Sequence, residues 1–424
     1  MIVGYRCAAC GHLVDIATPW PWRCPNSSLT DRHHVLRLMG VHRRPGAADH
    51  PLLLGGENLA WLSFARAHGV SHAAIDRLVG EVDDSVGHSG GGRFGVTPFG
   101  RADALSDALG FAPTGGVYVK DETGQVGGSH KARHLVSILL HLRVAEMVGL
   151  TPGSDRPTLA IASCGNAAIA AATLASAIQW PLKVFVPAHA SPSVLTHLET
   201  LGAKVVMCRR TIGDPPGDPC MHEFRAAVDA GAVPFSVQGP ENALCLDGGR
   251  SLAWEIAAQS APRPLDRMVV QVGGGALATC IGDGFRGGPT PILTAMQTQA
   301  CAPFDRAWRT AQQLGVSDIA FDWAQCMYPW VSADPGGPHS AASGILDDET
   351  YDWVGVVESL ARSKGESVVV AEADVSLAHR LAREHTSIAA DATGTAGLAG
   401  LIALRPLLAQ TDRIGVVFSG IERC

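Results

Sequence analysis

Charge is scarce in this 424-residue sequence: Asp, Glu, Lys and Arg make up 17% of it, against 46% hydrophobic residues. That balance excludes a disordered or fibrous chain and fits a compact enzyme of two ordinary domains. No basic run or basic amphipathic helix is present and the formal charge is −7, which argues against nucleic acid as a partner. No apolar stretch reaches spanning length, so the sequence predicts a soluble protein with no membrane partner. The opening "MIVGYRCAACGH" has an arginine and two cysteines where the apolar core of a secretory leader would lie. The eleven cysteines lack the spacing of a disulfide framework, so reduced thiols in a cytoplasmic protein are expected. Internal repeats of solenoid period are also missing. What abounds is glycine, 48 residues, and proline, 26, which calls for many turns.

Short β-branched runs alternate with alanine- and leucine-rich stretches. Residues 117–120, 158–163, 183–187, 203–207, 233–237, 268–272, 291–296, 367–371 and 413–418 read as buried strands. Helix-like stretches fill 166–179, 190–201, 247–260, 375–385 and 394–409. Strand, helix, strand at this spacing predicts an α/β protein with parallel sheets covered on both faces. Ligands of such sheets sit beyond the carboxyl ends of the strands, so the loops there carry the chemistry. The glycine-rich 87–95 reads as a connector or an anion cradle, and the turn-rich 330–344 as a lid or linker.

Four loops stand out. "GGSHKAR" places Lys131 behind a glycine turn at the mouth of an apolar helix, either as an ordinary amine or as a reactive one. "SCGN", Ser163 to Asn166, leads into a helix whose free amides suit a carboxylate or phenolate oxygen, or are merely capped. "VGGGALATC" follows a strand, and three glycines let the backbone approach a phosphate. It lacks the dinucleotide fingerprint and the lysine of an ATP-binding loop, so one terminal phosphate of a small cofactor is the expected ligand. Ser419 ends the last strand and either donates to a ring nitrogen or caps a turn.

In this order, and with "TPF" at 97–99, "KDE…GGSHKAR" at 120–133, "ENALCLDGGRSLAWEI" at 241–256, "AMQTQACAPFDRAW" at 295–308 and "TSIAADATGTAGLAGL" at 386–401, the chain resembles the fold-type II pyridoxal-phosphate enzymes. These include the tryptophan synthase β subunit, cysteine synthase, serine/threonine dehydratase and threonine synthase. The resemblance covers about Val96 to Ser419. It implies a two-domain fold, with a large cofactor domain over 46–129 and 209–424 and a small domain over 130–208. It also implies pyridoxal 5'-phosphate held as a Schiff base on Lys131, an amino-acid substrate and a homodimer. Gly273, Gly274, Gly275, Ala276 and Leu277 would hold the phosphate, Asn166 the phenolic oxygen, and Ser419 would face the pyridine nitrogen. Ser163, Cys164, Gly165 and Ala167 would receive the substrate carboxylate. Displaced by the substrate amine, Lys131 would act as general base at Cα, before a β- or γ-substituent leaves.

Two departures touch the reactive centre. The family often has Phe before the lysine, where this chain has His130, and Thr or His after the asparagine, where it has Ala167. Both count as substrate-side positions and imply an unusual substrate. His130 is either an extra acid or base or a packed imidazole. Lys120 reaches an anionic substrate group or pairs with a carboxylate at a strand end.

At the N-terminus, Cys7 and Cys10 have the two-cysteine spacing used for zinc, and Cys24 begins a second knuckle that continues to Ser27. A similar ribbon precedes some threonine synthases, which implies a knuckle over 1–45 holding a structural Zn. Because Ser27 replaces the fourth cysteine, His33 or His34 is needed to complete the set, with His12 and Asp31 as weaker ligands. A metal-free remnant is the other reading. The leading expectation is thus a threonine-synthase-like lyase, with a serine/threonine-type ammonia-lyase and a β-replacement synthase as alternatives. A non-catalytic cofactor-binding relative stands further off.

Overall fold

Each of the nine apolar runs contributes a strand, and the central ones are buried on both faces, as parallel strands under helices must be. The structure is a computed structural model that describes all residues except 29, 30, 32, 41, 44, 47, 152–155, 189, 212–216, 315–337 and 424. The passage 330–344 therefore lies outside the described residues as far as 337.

Strands are numbered along the chain: β1 Ile2–Cys7, β2 Leu13–Asp15, β3 Leu36–Gly40, β4 Phe99–Arg101, β5 Gly116–Asp121, β6 Leu159–Ala162, β7 Leu182–Pro187, β8 Lys204–Cys208, β9 Val233–Pro234, β10 Arg267–Gln271, β11 Ile292–Thr298, β12 Glu366–Val370 and β13 Arg413–Phe418. The larger sheet has the order β12-β11-β10-β13-β5-β4, parallel throughout except for the edge strand β4. Its centre, β13, buries all six residues, and the run Ile414 to Phe418 has apolar contacts on either side. The smaller sheet has the order β8-β7-β6-β9 and is wholly parallel. Its edge strand comes from Val233–Pro234, so this sheet reaches past the 208 boundary expected from the sequence.

The helix Asn166–Ala177 buries nine consecutive residues, mostly alanines, and packs on the helix Lys131–Met147. Small side chains let the two backbones approach, and that contact fixes the mouth of the Lys131 helix against the small sheet. Expected helix 247–260 is split into Cys245–Gly248 and Ser251–Gln259. The 87–95 connector is tied down where the Phe94 amide donates to Asp83 Oδ1 at 2.8 Å.

The first three strands make a separate antiparallel sheet of order β2-β1-β3. Arg37 on β3 anchors it to the body: its guanidinium donates to Asp283 at 2.8 Å and to Glu358 at 2.9 Å. Those acids belong to the helices Ala276–Gly284 and Trp353–Ser363. No helix among the described residues is long and apolar enough to cross a membrane.

Candidate functional site

Lys131 begins its helix after β5 has ended and the chain has turned through Val126–Gly128. Gly127 and Gly128 take φ of +66° and +71°, where a side chain is strained, and a Cβ on Gly127 would stand 3.1 Å from Ala170 Cα. The turn thus brings Lys131 close to the helix Asn166–Ala177. The lysine is half-buried. Burial pulls its ammonium below the ordinary lysine range, and the Asp347 carboxylate partly opposes this.

Behind it lies a fully internal ion network. Arg133 donates to Glu122 at 2.7 and 3.0 Å, to Glu255 at 2.6 and 2.9 Å, to Ser251 at 3.0 Å and to Thr97 at 3.1 Å. Lys120 Nζ donates to Glu255 at 2.6 Å, to Gln259 at 2.9 Å and to the Thr97 carbonyl at 2.7 Å. Burial pushes Glu255 up, but Arg133 and Lys120 outweigh it and hold the carboxyl below its ordinary range. Two cations thus balance two carboxylates in the interior. Lys120 is therefore an ion-pair residue, with Glu255 as its carboxylate. The "KDE", "KAR" and "WEI" blocks supply the charged members, which explains why they accompany the lysine.

The glycine turn between β10 and the helix Ala276–Gly284 lies against Asp347, the carboxylate that bears on Lys131. Gly275 has φ of +93°. A Cβ on Gly273 would overlap Asp347 Oδ2, and one on Gly274 would lie 2.9 Å from the Tyr351 ring. Asp347 lies against this turn, and burial raises its carboxyl to about 6 despite Lys131. Beyond it, the first amides of the helix Ala276–Gly284 have no acceptor within the helix. Thr350 Oγ1, fully buried and without a partner among the described residues, belongs to a side chain that packs on Gly275. A glycine turn at a helix start, with spare amides and a buried hydroxyl beside it, fits the phosphate of pyridoxal phosphate.

Asn166 is the first residue of its helix, and Arg423 donates to its Oδ1 at 3.0 and 3.2 Å. That contact fixes the amide orientation and leaves Nδ2 as a donor. Gly420 must lack a side chain because its Cβ would overlap Asn166 Nδ2. Ser163 and Cys164 are half-buried, Gly165 is exposed and Ala167 is buried. The Gly165 amide donates to Ser163 Oγ at 3.3 Å, so the loop closes on itself. Ser419 is buried at the end of β13, where Gln271 Nε2 donates to its hydroxyl at 3.0 Å. The hydroxyl proton is thereby left to donate elsewhere, as a ring nitrogen requires.

His130 is buried, and its Nδ1 lies 2.9 Å from the Ser419 carbonyl, to which its own amide also donates at 3.1 Å. A carbonyl only accepts, so Nδ1 carries the proton. Burial, with Lys131 adding to it, holds the imidazole well below the ordinary histidine range. His130 is therefore a neutral packed ring at neutral pH, its Nε2 unpaired among the described residues.

At the N-terminal sheet, Cys7, Cys10, Cys24 and His34 place their ligand atoms within 4.8 Å of one another. His34, not His33, completes the set. Its Nδ1 lies 3.4 Å from Cys7 Sγ, and its Nε2 lies 3.1 Å from Asp31 Oδ2. The other histidine turns its ring edge-on to Trp353 at 6.5 Å, because successive side chains before β3 point apart. Asp31 thus supports a ligand and is not one itself. Ser27 Oγ donates to the Cys24 carbonyl at 2.8 Å.

The sequence missed several participants. Asp347, Thr350 and Tyr351 lie in a turn-rich segment with no periodic signal, and Arg423 lies four residues past the last strand motif. Gln271 looked like one more strand residue. The only cue for Gly420 was its place directly after Ser419 in "SGIER".

The fold and cleft define a class. The chain belongs to the pyridoxal-phosphate-dependent enzyme family, whose pattern matches residues 92–420, and it has the α/β fold-type II architecture. L-Serine dehydratase of Saccharomyces cerevisiae (strain YJM789) is 30% identical over 249 residues, 55% of this chain and 71% of that protein. A serine dehydratase-like protein of Mus musculus is 26% identical over 231 residues, 54% of this chain and 65% of that protein. Among solved structures, the threonine deaminase isoform 2 of Solanum lycopersicum, in its processed form, has a TM-score of 0.61 at 18% identity, covering 91% of this chain and 94% of that one. Maize serine racemase has a TM-score of 0.60 at 16% identity, covering 81% and 94%.

Proposed function

We propose that this protein is a pyridoxal-phosphate-dependent lyase that acts on a β- or γ-substituted L-amino acid, with Lys131 as the residue that carries the cofactor. One observation carries the reading: a half-buried lysine, its ammonium pulled below the ordinary range by burial, is joined through Asp347 to the Gly273–Gly275 turn. When bound, the cofactor supplies an electron sink for the bond broken at the substrate Cα.

The chain does the rest. Amides from Gly275 to Leu277 would hold the phosphate, and Asn166 would donate to the phenolic oxygen. Ser163, Cys164, Gly165 and Ala167 bind the substrate carboxylate at a helix start. Lys131 Nζ takes the proton from Cα, a role suited to an amine whose proton is weakly held. Ser419 offers the ring nitrogen a neutral hydroxyl, which does not keep that nitrogen protonated. A neutral hydroxyl at that position would favour loss of a leaving group over amino transfer. Elimination of the ammonia-lyase kind is in keeping with the dehydratases among the relatives.

The cysteine–histidine cluster at the N-terminus favours a second reading, threonine-synthase-like replacement. We infer that Cys7, Cys10, Cys24 and His34 hold a structural zinc, since three thiols and an imidazole backed by Asp31 match its tetrahedral preference. A panel of β- and γ-substituted amino acids, assayed for keto-acid release, tests the function. Release by the wild type and none by Lys131→Ala is expected; equal release by both would sink the proposal.

A further inference from the structure

We propose that Asp347 selects a substrate whose side chain ends in an ammonium or similar cation, and that phosphorylated side chains are rejected. The inference rests on the lyase reading above and names the substrate class of that same cleft.

Asp347 lies on a strap fixed at several points, one of them on the glycine turn. The Asp352 amide donates to the Gly274 carbonyl at 2.7 Å, Cys301 Sγ donates to the Asp347 carbonyl at 3.1 Å, and the Gly344 amide donates to Thr393 Oγ1 at 3.0 Å. The strap therefore presents the carboxylate at a set place, with Oδ2 against Gly273 and 3.7 Å from where a Gly274 Cβ would stand. Leu346, Asp347 and Asp348 are half-buried, as Lys131 and Cys164 are, whereas Thr350 and Asp352 further along the strap are buried. Asp347 is thus a wall of the cleft and not part of the core.

The charges bearing on it are Lys131, Asp348 and Asp218. Asp218 caps the helix Pro219–Asp229, packed on the small sheet, and also bears on Cys164 of the proposed carboxylate loop. Asp347 on the strap therefore bears on the lysine, and Asp218 at a helix start bears on that loop. Lys131 is the cation that offsets Asp347, and its charge is committed once the cofactor is attached. The phosphate then adds further negative charge. Arg423, the cation beside Asn166, already donates to Asn166 Oδ1 and to the Gly127 carbonyl at 2.6 Å. A substrate phosphate would enter a negative field in which the described residues offer no uncommitted cation, whereas a cationic side chain would pair with Asp347. Asp347→Asn keeps the shape and the acceptor oxygen but removes the charge.

The test uses cofactor-loaded wild type, with half-saturation read from the absorbance change on adding 2,3-diaminopropionate, serine, O-phosphoserine or O-phosphohomoserine. The diamino acid should bind about 10-fold more tightly than serine and about 100-fold more tightly than either phosphorylated compound. Asp347→Asn should shrink the first ratio to about 1–2. Tighter binding of serine or of a phosphorylated compound by the wild type overturns the inference, and so does an unchanged ratio in Asp347→Asn. The wild-type panel decides by itself if the variant does not fold. Protein that binds cofactor on Lys131 yet shows no charge preference defeats this inference alone, whereas protein that never takes up cofactor defeats the lyase reading.

Discussion

Replacing Arg133 with Met probes how the reactive lysine is held. The guanidinium is 4% exposed and is the largest source of donors for Glu122 and Glu255. Without it, two internal carboxylates face Lys120 as their one cation. Breaking a buried pair in this way costs about 3–5 kcal/mol, since a charge is left uncompensated. At about 2 cal/mol/K of unfolding entropy per residue, 1 kcal/mol shifts a chain of this length by about 1 °C, so the melting temperature should fall by about 3–6 °C. The sign with pH is fixed by Glu255, whose carboxyl sits below its ordinary 4.5. Its stabilisation is complete above that value and is lost as pH falls through the lower folded value, so the penalty should shrink in acid. Urea unfolding of Arg133→Met, Glu122→Gln and the double variant measures the coupling, expected at about 1–3 kcal/mol because the residues touch. Lys131 precedes Arg133 by two positions on the same helix, so cofactor affinity should fall too. A loss under about 1 kcal/mol, or strict additivity in the double variant, would refute the role given to the network.

Three further outcomes are expected. Gly420→Ala should weaken cofactor binding about 10-fold, because its Cβ displaces the Asn166 amide; fluorescence titration with pyridoxal phosphate reads this, and unchanged affinity counts against Asn166 as a ligand. Purified protein should contain one zinc that His34→Ala loses and His33→Ala keeps, by elemental analysis; loss in both or in neither contradicts the assignment. Burial holds His141 down to about 4 from 6.5, so the unfolded chain takes its proton first and stability is lost as pH falls between those values. His141→Gln should remove about 3 kcal/mol of that acid sensitivity, seen as a flatter urea midpoint against pH.

The sheets were legible because buried parallel strands are continuous apolar runs, and runs such as 413–418 have few alternatives. The loops at their carboxyl ends were legible too: Lys131, Asn166, Gly273 to Gly275 and Ser419 follow strands or turns that sequence pattern marks. What stayed hidden depends on tertiary approach. The choice of His34 over His33 is a matter of side-chain direction in an irregular segment. Glu255 reaches Arg133 from 122 residues away along the chain. Asp347 sits in a stretch whose composition signals turns and no element, so nothing local ties it to Gly274. Val233–Pro234 is too short a strand to identify its sheet before β6 is seen beside it.

The cofactor attachment site is open to a direct measurement, since the sequence has five lysines. Lys120 is locked to Glu255, Lys183 lies in β7, and Lys204 and Lys364 are exposed. Borohydride reduction of the loaded protein, followed by digestion and peptide mass mapping, should tag a single peptide, the one containing Lys131. A tag on any of the other four, or none on a protein that has bound pyridoxal phosphate, contradicts the account.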